Sequence, residues 1–412
     1  MDQQTIDIVK ATVPVLEEKG DAITVSFYNH LFSEHPELYN VFNQTHQKQQ
    51  KQQRALAQAV LAAAKHIDKL EAILGSVKGI AHKHRSIGVK PEHYPIVGEN
   101  LLWAIKDVLG DAATDEIMQA WEIAYGEIAK VFIAIEDALR EEVKNRHGWN
   151  GYLPFKVDRK VEESSVITSF YLKPVNGQEL PEFEAGQYIS IKLDIPGEKY
   201  THIRQYSLSD APGTGYFRIS VKREDARDPF PEGVVTNYLH ESVKVGDVLQ
   251  ISAPAGDFTL DHTPDKPLVL ISGGVGQTPM MSMLKQAVNQ TPERNITWVH
   301  AAVNGTTHAF AKDVVKLDQQ HKNLQTFFCY EAPTESDQER CLYAKTGYID
   351  GEWLAQVIID KNADYYFCGP KPFMKAIYTI LKHWEIEDEN IHFEFFGPQD
   401  QLVEKETATT GA

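Results

Sequence analysis

The segment IAHKHRSIGVKPEHYP contains three histidines that could bind a metal or a cofactor: His82, His84 and His93. Upstream of them, apolar residues recur about every 3.6 positions, which predicts an amphipathic helix. At about 100° per residue, His84 lies near the direction of Val77 on the buried face, whereas His82 points outward. His93 follows Pro91 and lies beyond the helix. His84 is therefore the candidate ligand, against the alternative of a core histidine satisfied by one hydrogen bond.

Three other polar residues, Tyr28, Gln52 and Glu136, also lie on apolar helical faces. A neutral imidazole facing an apolar cavity is a good axial ligand for haem iron. A carboxylate on its second ring nitrogen strengthens its donation, and Glu136 is the candidate, with Tyr94 to hold it. Tyr28 and Gln52 would lie across the iron and donate to bound O₂. Each also has an ordinary explanation, as a satisfied core aromatic, a helix-start residue and the edge of an apolar stripe.

The elements that must position these residues fall into three patterns. Residues 1–140 have helical spacing, whereas short segments with period two follow and predict an antiparallel β-barrel. Beyond it, continuous apolar runs alternate with helical segments, which is typical of a parallel α/β sheet. The predicted organisation is a multidomain chain with domains at 1–140, 153–262 and 263–400, a linker at 141–152 and a flexible tail at 401–412.

Composition limits the kinds of partner. The chain has 412 residues, 42% of them hydrophobic and 24% charged, as in ordinary globular proteins. A formal net charge of −17 argues against nucleic acid and anionic membranes. Neither a membrane-spanning run nor a signal peptide is recognisable. Three cysteines without metal-type spacing favour a reducing cytoplasm.

The segment RQYSLSD has residue types that suit a flavin. Arg204 can pair bidentately with a pyrophosphate, and Tyr206 can pack against the isoalloxazine ring. Ser207 can hydrogen-bond near the reactive N5 atom, where a protein can tune the flavin. The motif is short, and an ordinary strand end is the alternative interpretation.

The segment ISGGVGQTPMMSML ends an apolar run and begins a helix. Its glycines let backbone N–H groups approach a phosphate at the helix N-terminus. The GGxGxTP form resembles that of ferredoxin-reductase-like modules, and the later CGP and EFFGP segments agree with it. Without this resemblance, Cys368 would be interpreted as a small buried hydrophobe.

The segments YNHLF, QQRALAQAV, HKHRSIGVKPEHYPIVGENLL and AWEIAYGEIAKVF resemble bacterial globins, and nearly the whole chain resembles the flavohaemoglobins. The resemblance implies an all-α globin domain, an FAD-binding β-barrel and an NAD(P)-binding α/β domain, with haem b, FAD and NADH or NADPH as cofactors. His84 becomes the proximal iron ligand, with Tyr94 and Glu136 behind it. The distal residues are Tyr28, Gln52 and Leu56. Gln52 is preferred over the adjacent Gln53 because it lies four residues before Leu56 and shares its face.

The same resemblance assigns the remaining site residues. Lys83 and Glu394 match positions near the haem–flavin boundary, where charge could tune the haem potential. The implied FAD residues are Tyr188, Arg204, Gln205, Tyr206, Ser207, Gly233, Val235 and Thr236, of which Thr236 stands where serine is common. Cys368 would lie beside the nicotinamide, and Phe396 would cover the flavin until the nicotinamide arrives. The implied nicotinamide-side residues are Gly273, Gly274, Val275, Gly276, Gln277, Thr278, Pro279, Cys368, Gly369, Pro370, Phe395, Phe396, Gly397 and Pro398.

The resemblance implies a nitric oxide dioxygenase, in which NAD(P)H electrons pass through FAD and keep haem iron ferrous, and NO and O₂ become nitrate. A haem-dependent peroxide or lipid hydroperoxide reductase is the alternative, since a proximal glutamate is typical of peroxidases. A globin gas sensor is less favoured because the attached part is a reductase. We expect a monomer that takes O₂ and NO, without membrane insertion. Whether lipid enters the distal pocket, and whether NADH or NADPH is preferred, stay open.

Overall fold

The computed structural model describes residues 1–42, 51–228, 231–261 and 266–397. The chain forms two compact units. The first comprises Met1–Phe155 with the segments Ile189–Gln205 and Leu249–Asp257. The second comprises Lys156–Tyr188, Tyr206–Val248 and the C-terminal part from Phe258. Within the described ranges, no helix combines the length and hydropathy needed to cross a membrane.

The N-terminal part of the first unit is helical. Side-chain caps fix two of the helix starts, because Asp2 accepts a hydrogen bond from the Thr5 amide and Thr114 accepts one from the Ile117 amide. Gly88, with φ of 84°, ends the helix that carries His84. The helices are α1 (Gln3–Ala11), α2 (Val13–Glu34), α3 (Lys51–Lys65), α4 (Leu74–Ile87), α5 (His93–Leu109) and α6 (Asp115–Asn145).

Helices α2, α5 and α6 share one hydrophobic core. Phe27 and Leu31 of α2 pack with Leu101 and Ile105 of α5 and with Trp121 of α6, and all five are at most 4% exposed. These positions recur at helical spacing along each element, so the apolar stripes of the sequence meet in the core. The helical part of the fold prediction is confirmed.

The next strands form a six-stranded antiparallel sheet in the order β4-β3-β6-β1-β2-β5. Its register places Phe170 opposite Ile219 and Ile191 opposite Ile251. The predicted antiparallel β-structure is therefore confirmed, as a six-stranded sheet. The elements are β1 (Tyr152–Glu162), β2 (Ile167–Pro174), β3 (Tyr188–Leu193), β4 (His202–Ser207), β5 (Phe217–Lys222), α7 (Val234–Glu241) and β6 (Val248–Ser252).

The C-terminal elements form a parallel sheet in the order β10-β9-β8-β7-β11-β12. Leu268 and Leu270 of β7 enter one core and Val269 and Ile271 enter another, so both faces are covered. The prediction of a parallel α/β sheet is thus confirmed. Its elements are β7 (Leu268–Gly273), α8 (Gln277–Gln290), β8 (Ile296–Ala302), α9 (Ala311–Gln320), β9 (Leu324–Tyr330), α10 (Glu335–Arg340), β10 (Lys345–Thr346), α11 (Gly351–Val357), β11 (Asp364–Cys368), α12 (Lys371–His383) and β12 (Ile391–Glu394).

The exact domain limits stay predictions. Helix α6 continues to Asn145 and β1 begins at Tyr152, on either side of a short connection. The second predicted boundary, at 262, and the predicted tail at 401–412 lie outside the described residues.

Candidate active site

His84 lies in the last turn of α4, where its ring is fixed by two residues of other helices. Its Nδ1 atom is 2.8 Å from Oε1 of Glu136 on α6 and 3.2 Å from the Tyr94 hydroxyl on α5. A carboxylate can only accept, so the Nδ1 atom of His84 carries a proton, and in a neutral ring the lone pair is then on Nε2. All hydrogen bonds of His84 to the described residues run through Nδ1, which leaves Nε2 for a metal.

Glu136 is fully buried and is held from three sides. Besides His84, it accepts a 2.5 Å hydrogen bond from the Tyr94 hydroxyl and a 3.1 Å hydrogen bond from Arg140. Burial and the carboxylate raise the pKa of Tyr94, so the phenol stays protonated and donates. The carboxyl group behind the imidazole therefore has three donors, His84, Tyr94 and Arg140, which fix its position.

Two residues of this network, Arg140 and Tyr125, are not among the site residues predicted from the sequence. Arg140 also donates to the Val89 carbonyl, at 2.8 Å, and the signal for it was its position one turn after Glu136 on the same helix. Tyr125 donates a 2.6 Å hydrogen bond to the Tyr94 carbonyl. Its ring packs so closely on α5 that a Cβ at Gly98 would overlap with it. These contacts fix Tyr94 through its backbone as well as its hydroxyl.

The predicted distal residues lie on α2 and α3. Tyr28 is 5% exposed and packs between Phe27 and Phe32, with ring centroids 4.8 and 5.8 Å away. Gln52 and Leu56 are half-buried and lie one turn apart on α3, whereas Gln53 is buried. The choice of Gln52 over Gln53 therefore stays a prediction.

The prediction that His82 points outward is wrong as regards its exposure. His82 is 9% exposed because its Nδ1 accepts a 3.3 Å hydrogen bond from the amide of Gly256. Arg85, one turn away, donates to the Pro254 carbonyl. Helix α4 is therefore covered on both faces, which helical periodicity alone cannot reveal. Burial lowers the pKa of the neighbouring Lys83, which is half-buried.

Strand β4 carries four of the predicted flavin residues in succession, Arg204 to Ser207. The hydroxyl of Ser207 is buried and has no hydrogen-bond partner among the described residues. An orphaned buried hydroxyl is costly unless a ligand satisfies it, so Ser207 fits a bound flavin. Tyr188 begins β3, and a 2.8 Å hydrogen bond from the Leu208 amide to the Gln187 carbonyl keeps the two strand ends together.

The segment with Gly233, Val235 and Thr236 forms the start of helix α7. The hydroxyl of Thr236 donates to the Gly233 carbonyl, at 3.1 Å, and accepts from the Glu224 amide, at 3.3 Å. The start of α7 is therefore held against the segment that follows β5, and a helix N-terminus suits a phosphate.

The glycine-rich segment connects β7 to α8 and lies against the end of β11. A Cβ at Gly276 would overlap with the carbonyl of Cys368, so only glycine permits this approach. Gly274 has a φ of 55° and open space where a side chain would be. Gly369 lies close to Gly273, which brings both segments to the carboxyl edge of the sheet, the usual nucleotide site of such folds. The other predicted residues of these two segments are Val275, Gln277, Thr278, Pro279 and Pro370.

The C-terminal strand β12 pairs with β11, which places Glu394 next to Cys368 in the sheet. Cys368 is fully buried, and burial raises the pKa of its thiol. Phe395 packs on Phe393, whereas Phe396 is 49% exposed. Gly397 is half-buried, and the predicted residue Pro398 lies outside the described residues.

Comparisons with known proteins agree with this organisation. The globin family model matches residues 25–132, the oxidoreductase FAD-binding domain matches 154–260 and the oxidoreductase NAD-binding domain matches 270–379. The chain is 52% identical to the flavohemoprotein of Halalkalibacterium halodurans, covering 98% of each protein, and 53% identical to that of Bacillus subtilis, covering 98% of this chain and 99% of the relative. The chain belongs to the flavohaemoglobin family.

Solved structures agree with the family assignment. The flavohaemoglobin of Malassezia yamatoensis, solved with bound FAD and haem, has a TM-score of 0.82 at 26% identity and covers 96% of this chain and 99% of its own. The FAD/NAD-binding domain of a Vibrio cholerae nitric oxide dioxygenase has a TM-score of 0.55 at 36% identity, covering 60% of this chain and 100% of its own. This flavohaemoglobin thus combines a haem-binding globin with the FAD- and NAD-binding domains of an oxidoreductase.

Proposed function

We propose that this flavohaemoglobin is a nitric oxide dioxygenase, which uses NADH or NADPH to convert NO and O₂ to nitrate. The observation that carries the proposal is the His84–Glu136 pair in a globin that shares its chain with a flavin reductase. The FAD/NAD-binding relative from Vibrio cholerae, which is described as part of a nitric oxide dioxygenase, also supports it. When bound, the cofactors supply a two-electron donor, a flavin that separates the electrons and an iron that binds O₂.

In the globin part, Nε2 of His84 would hold the iron. The buried Glu136 carboxylate and the Tyr94 hydroxyl keep the His84 ring in one orientation and one tautomer. On α2 and α3, Tyr28 would donate a hydrogen bond to the gaseous ligand, with Gln52 as a second donor and Leu56 beside Gln52. Partial negative charge on the ligand would make these donors stabilising.

In the reductase part, Arg204 would pair with the FAD pyrophosphate and Tyr206 would pack on the flavin ring. Ser207 would use its orphaned hydroxyl near the flavin N5 atom. The further proposed FAD contacts are Tyr188, Gln205, Gly233, Val235 and Thr236. We also propose that Lys83 and Glu394 tune the haem potential through their charges.

On the nicotinamide side, the backbone between β7 and α8 would bind the NAD(P)H phosphates, because its N–H groups lie at a helix N-terminus. Cys368 would lie beside the nicotinamide. Phe396, which is half exposed, would cover the flavin face until the nicotinamide displaces it. The remaining proposed contacts are Gly273 to Pro279, Gly369, Pro370, Phe395, Gly397 and Pro398.

A peroxide or lipid hydroperoxide reductase is the second candidate, and the buried Glu136 favours it. A strongly donating proximal histidine helps O–O bond cleavage, because it supplies electron density to the iron. The same observation fits the dioxygenase, so this activity would use the same site.

We further propose a cytoplasmic monomer. The three cysteines, which are all free thiols, suit a reducing compartment.

Consumption of NO by the holoenzyme with NADH, with and without O₂, tests the proposal. We expect fast consumption only when O₂ and NADH are both present. The matched variant is His84→Ala, which should lose haem and this activity but still reduce an artificial acceptor with NADH. Equal NO consumption without O₂, or NADH-dependent turnover only with peroxide, would refute the dioxygenase.

A further inference from the structure

Three hydrogen bonds in series connect Gln205 of strand β4 to α4, the helix that carries His84, and the middle one is buried. The Gln205 amide nitrogen lies 3.3 Å from the Ser190 hydroxyl, and the Ser190 hydroxyl lies 3.0 Å from that of Ser86 on α4. The Ser86 hydroxyl is 2.8 Å from the Lys83 carbonyl, one residue before His84. Ser190 and Ser86 are 0% and 1% exposed, so water does not compete for the bond between the two serines.

The Lys83 carbonyl determines which group donates in each of these three hydrogen bonds. A carbonyl can only accept, so the Ser86 hydroxyl donates its hydrogen to the Lys83 carbonyl. The Ser86 oxygen can then only accept, so the Ser190 hydroxyl donates its hydrogen to Ser86. Ser190 in turn needs a donor, and Gln205 must present its NH₂ group rather than its amide oxygen. The amide oxygen of Gln205 is thereby directed away from Ser190.

Further hydrogen bonds fix the backbone at Ser190 and around Ser86. The Ser190 amide donates a 2.9 Å hydrogen bond to the Ser252 hydroxyl, which fixes β3 at this point. The Tyr152 hydroxyl donates to the Ser86 carbonyl, at 3.1 Å, and Arg85 donates to the Pro254 carbonyl. Loss of one serine hydroxyl therefore removes the bond between Ser190 and Ser86.

We propose that Ser86 and Ser190 are positioning residues for electron transfer from flavin to haem. They act through Gln205, because they determine the orientation of its side-chain amide. The Lys83 carbonyl of α4 thus determines whether the oxygen or the NH₂ group of Gln205 lies next to the flavin. An amide that presents its oxygen rather than its NH₂ group changes the polarity next to the flavin ring, and hence the flavin potential. This inference rests on the proposed function, in which Gln205 contacts FAD.

The test uses the holoenzyme with Ser86→Ala, Ser190→Ala and the double variant. Anaerobic stopped-flow with NADH follows flavin reduction and then haem reduction, and a separate redox titration gives the flavin midpoint potential. We expect unchanged flavin reduction by NADH, haem reduction roughly three- to tenfold slower and a shifted flavin potential in both single variants. The double variant should match the single ones, because the hydroxyls act as one chain.

Ser169→Ala is the matched control, since it removes a buried serine hydroxyl, 2.7 Å from that of Ser220, in the same sheet. It should leave the flavin potential and the haem reduction rate unchanged. Ser86 lies on a helix of the globin part, so loss of packing alone would not move the flavin potential. A wild-type flavin potential in Ser86→Ala, or additive effects in the double variant, would overturn the inference. A wild-type protein in which reduced flavin never reduces haem would instead refute the proposed function.

Discussion

His84 and Glu136, which are 52 residues apart in the chain, lie 2.8 Å apart between Nδ1 and Oε1, and the carboxylate is completely buried. This contact joins α4 to α6 and gives the imidazole a defined tautomer. The buried charge is balanced by Arg140, whose guanidinium is 3.1 Å from Oε2. A carboxylate behind the imidazole is the arrangement that the proposed role of His84 as iron ligand requires.

Glu136→Gln should weaken haem binding about 10- to 100-fold, as loss of a carboxylate behind a metal-binding histidine typically does. The haem midpoint potential should also become more positive, because a negative charge that favours ferric iron is gone. Haem transfer to an acceptor protein and a redox titration measure both effects. Asp137→Asn is the control, since Asp137 also pairs with Arg140 but is exposed. Unchanged haem affinity and potential in Glu136→Gln would contradict the assigned role.

Tyr28→Phe should lower O₂ affinity roughly tenfold or more, mostly through faster dissociation. A hydrogen bond to a charged acceptor contributes about 1.5–3 kcal/mol, and each ~1.4 kcal/mol is about tenfold. Carbon monoxide, which is nearly neutral, should be affected much less, and adding Gln52→Leu should weaken O₂ binding further. Stopped-flow dissociation of both gases decides the point, with Tyr39→Phe as control. Equal changes for O₂ and carbon monoxide would mean that Tyr28 acts by shape alone.

Lys160→Met should reduce FAD affinity, by roughly tenfold at most. The Lys160 ammonium donates to the carbonyls of Leu239, His240 and Val243, at 3.1, 2.5 and 3.0 Å, and so caps the C-terminus of α7. Without this cap, the helix start proposed to contact FAD loses its support. Fluorescence titration of the flavin-depleted protein with FAD measures the effect. Lys156→Met changes an exposed lysine on the same strand and should have no effect; equal losses in both variants would refute the capping role.

The protein should become less stable in mild acid because of two buried histidines. The rings of His300 and His308 lie 4.4 Å apart, with Ser272 hydrogen-bonded to one and Tyr330 to the other. Burial lowers the pKa of His308 to about 3, although the charge of Asp337 works to raise it. Burial and the neighbouring His308 also hold the pKa of His300 well below its usual value.

Because both pKa values are lowered on folding, the unfolded chain takes up protons that the folded protein does not. Stability is therefore complete above about pH 6.5 and falls as the pH drops towards about 3, by up to about 1.4 kcal/mol per pH unit for each ring. Urea unfolding at a series of pH values measures the slope. His308→Phe should have a shallower slope, and His383→Phe, at an exposed position, should not. A slope that His308→Phe leaves unchanged would exclude this histidine as the cause.

The sequence predicted what depends on local periodicity and on family motifs. His84 follows from a 3.6-residue pattern, and the glycine segment after β7 follows from its spacing. The burial of His82 could not be predicted, because Gly256 covers it from 174 residues away. The same holds for Ser190 and Ser86, which are 104 residues apart and meet only in the folded unit. Side-chain partners across such distances are set by tertiary packing, which periodicity does not encode.

The ratio of nitrate formed to NADH consumed, measured with NO and O₂ in the holoenzyme, tests the central claim most directly. Conversion of NO and O₂ to nitrate requires one electron, and NADH supplies two, so the proposed route through FAD to haem predicts two nitrates per NADH. This ratio should hold from the first turnovers, and His84→Ala should form no nitrate. NADH oxidation without nitrate, or nitrate formation that does not depend on NADH, would contradict the account.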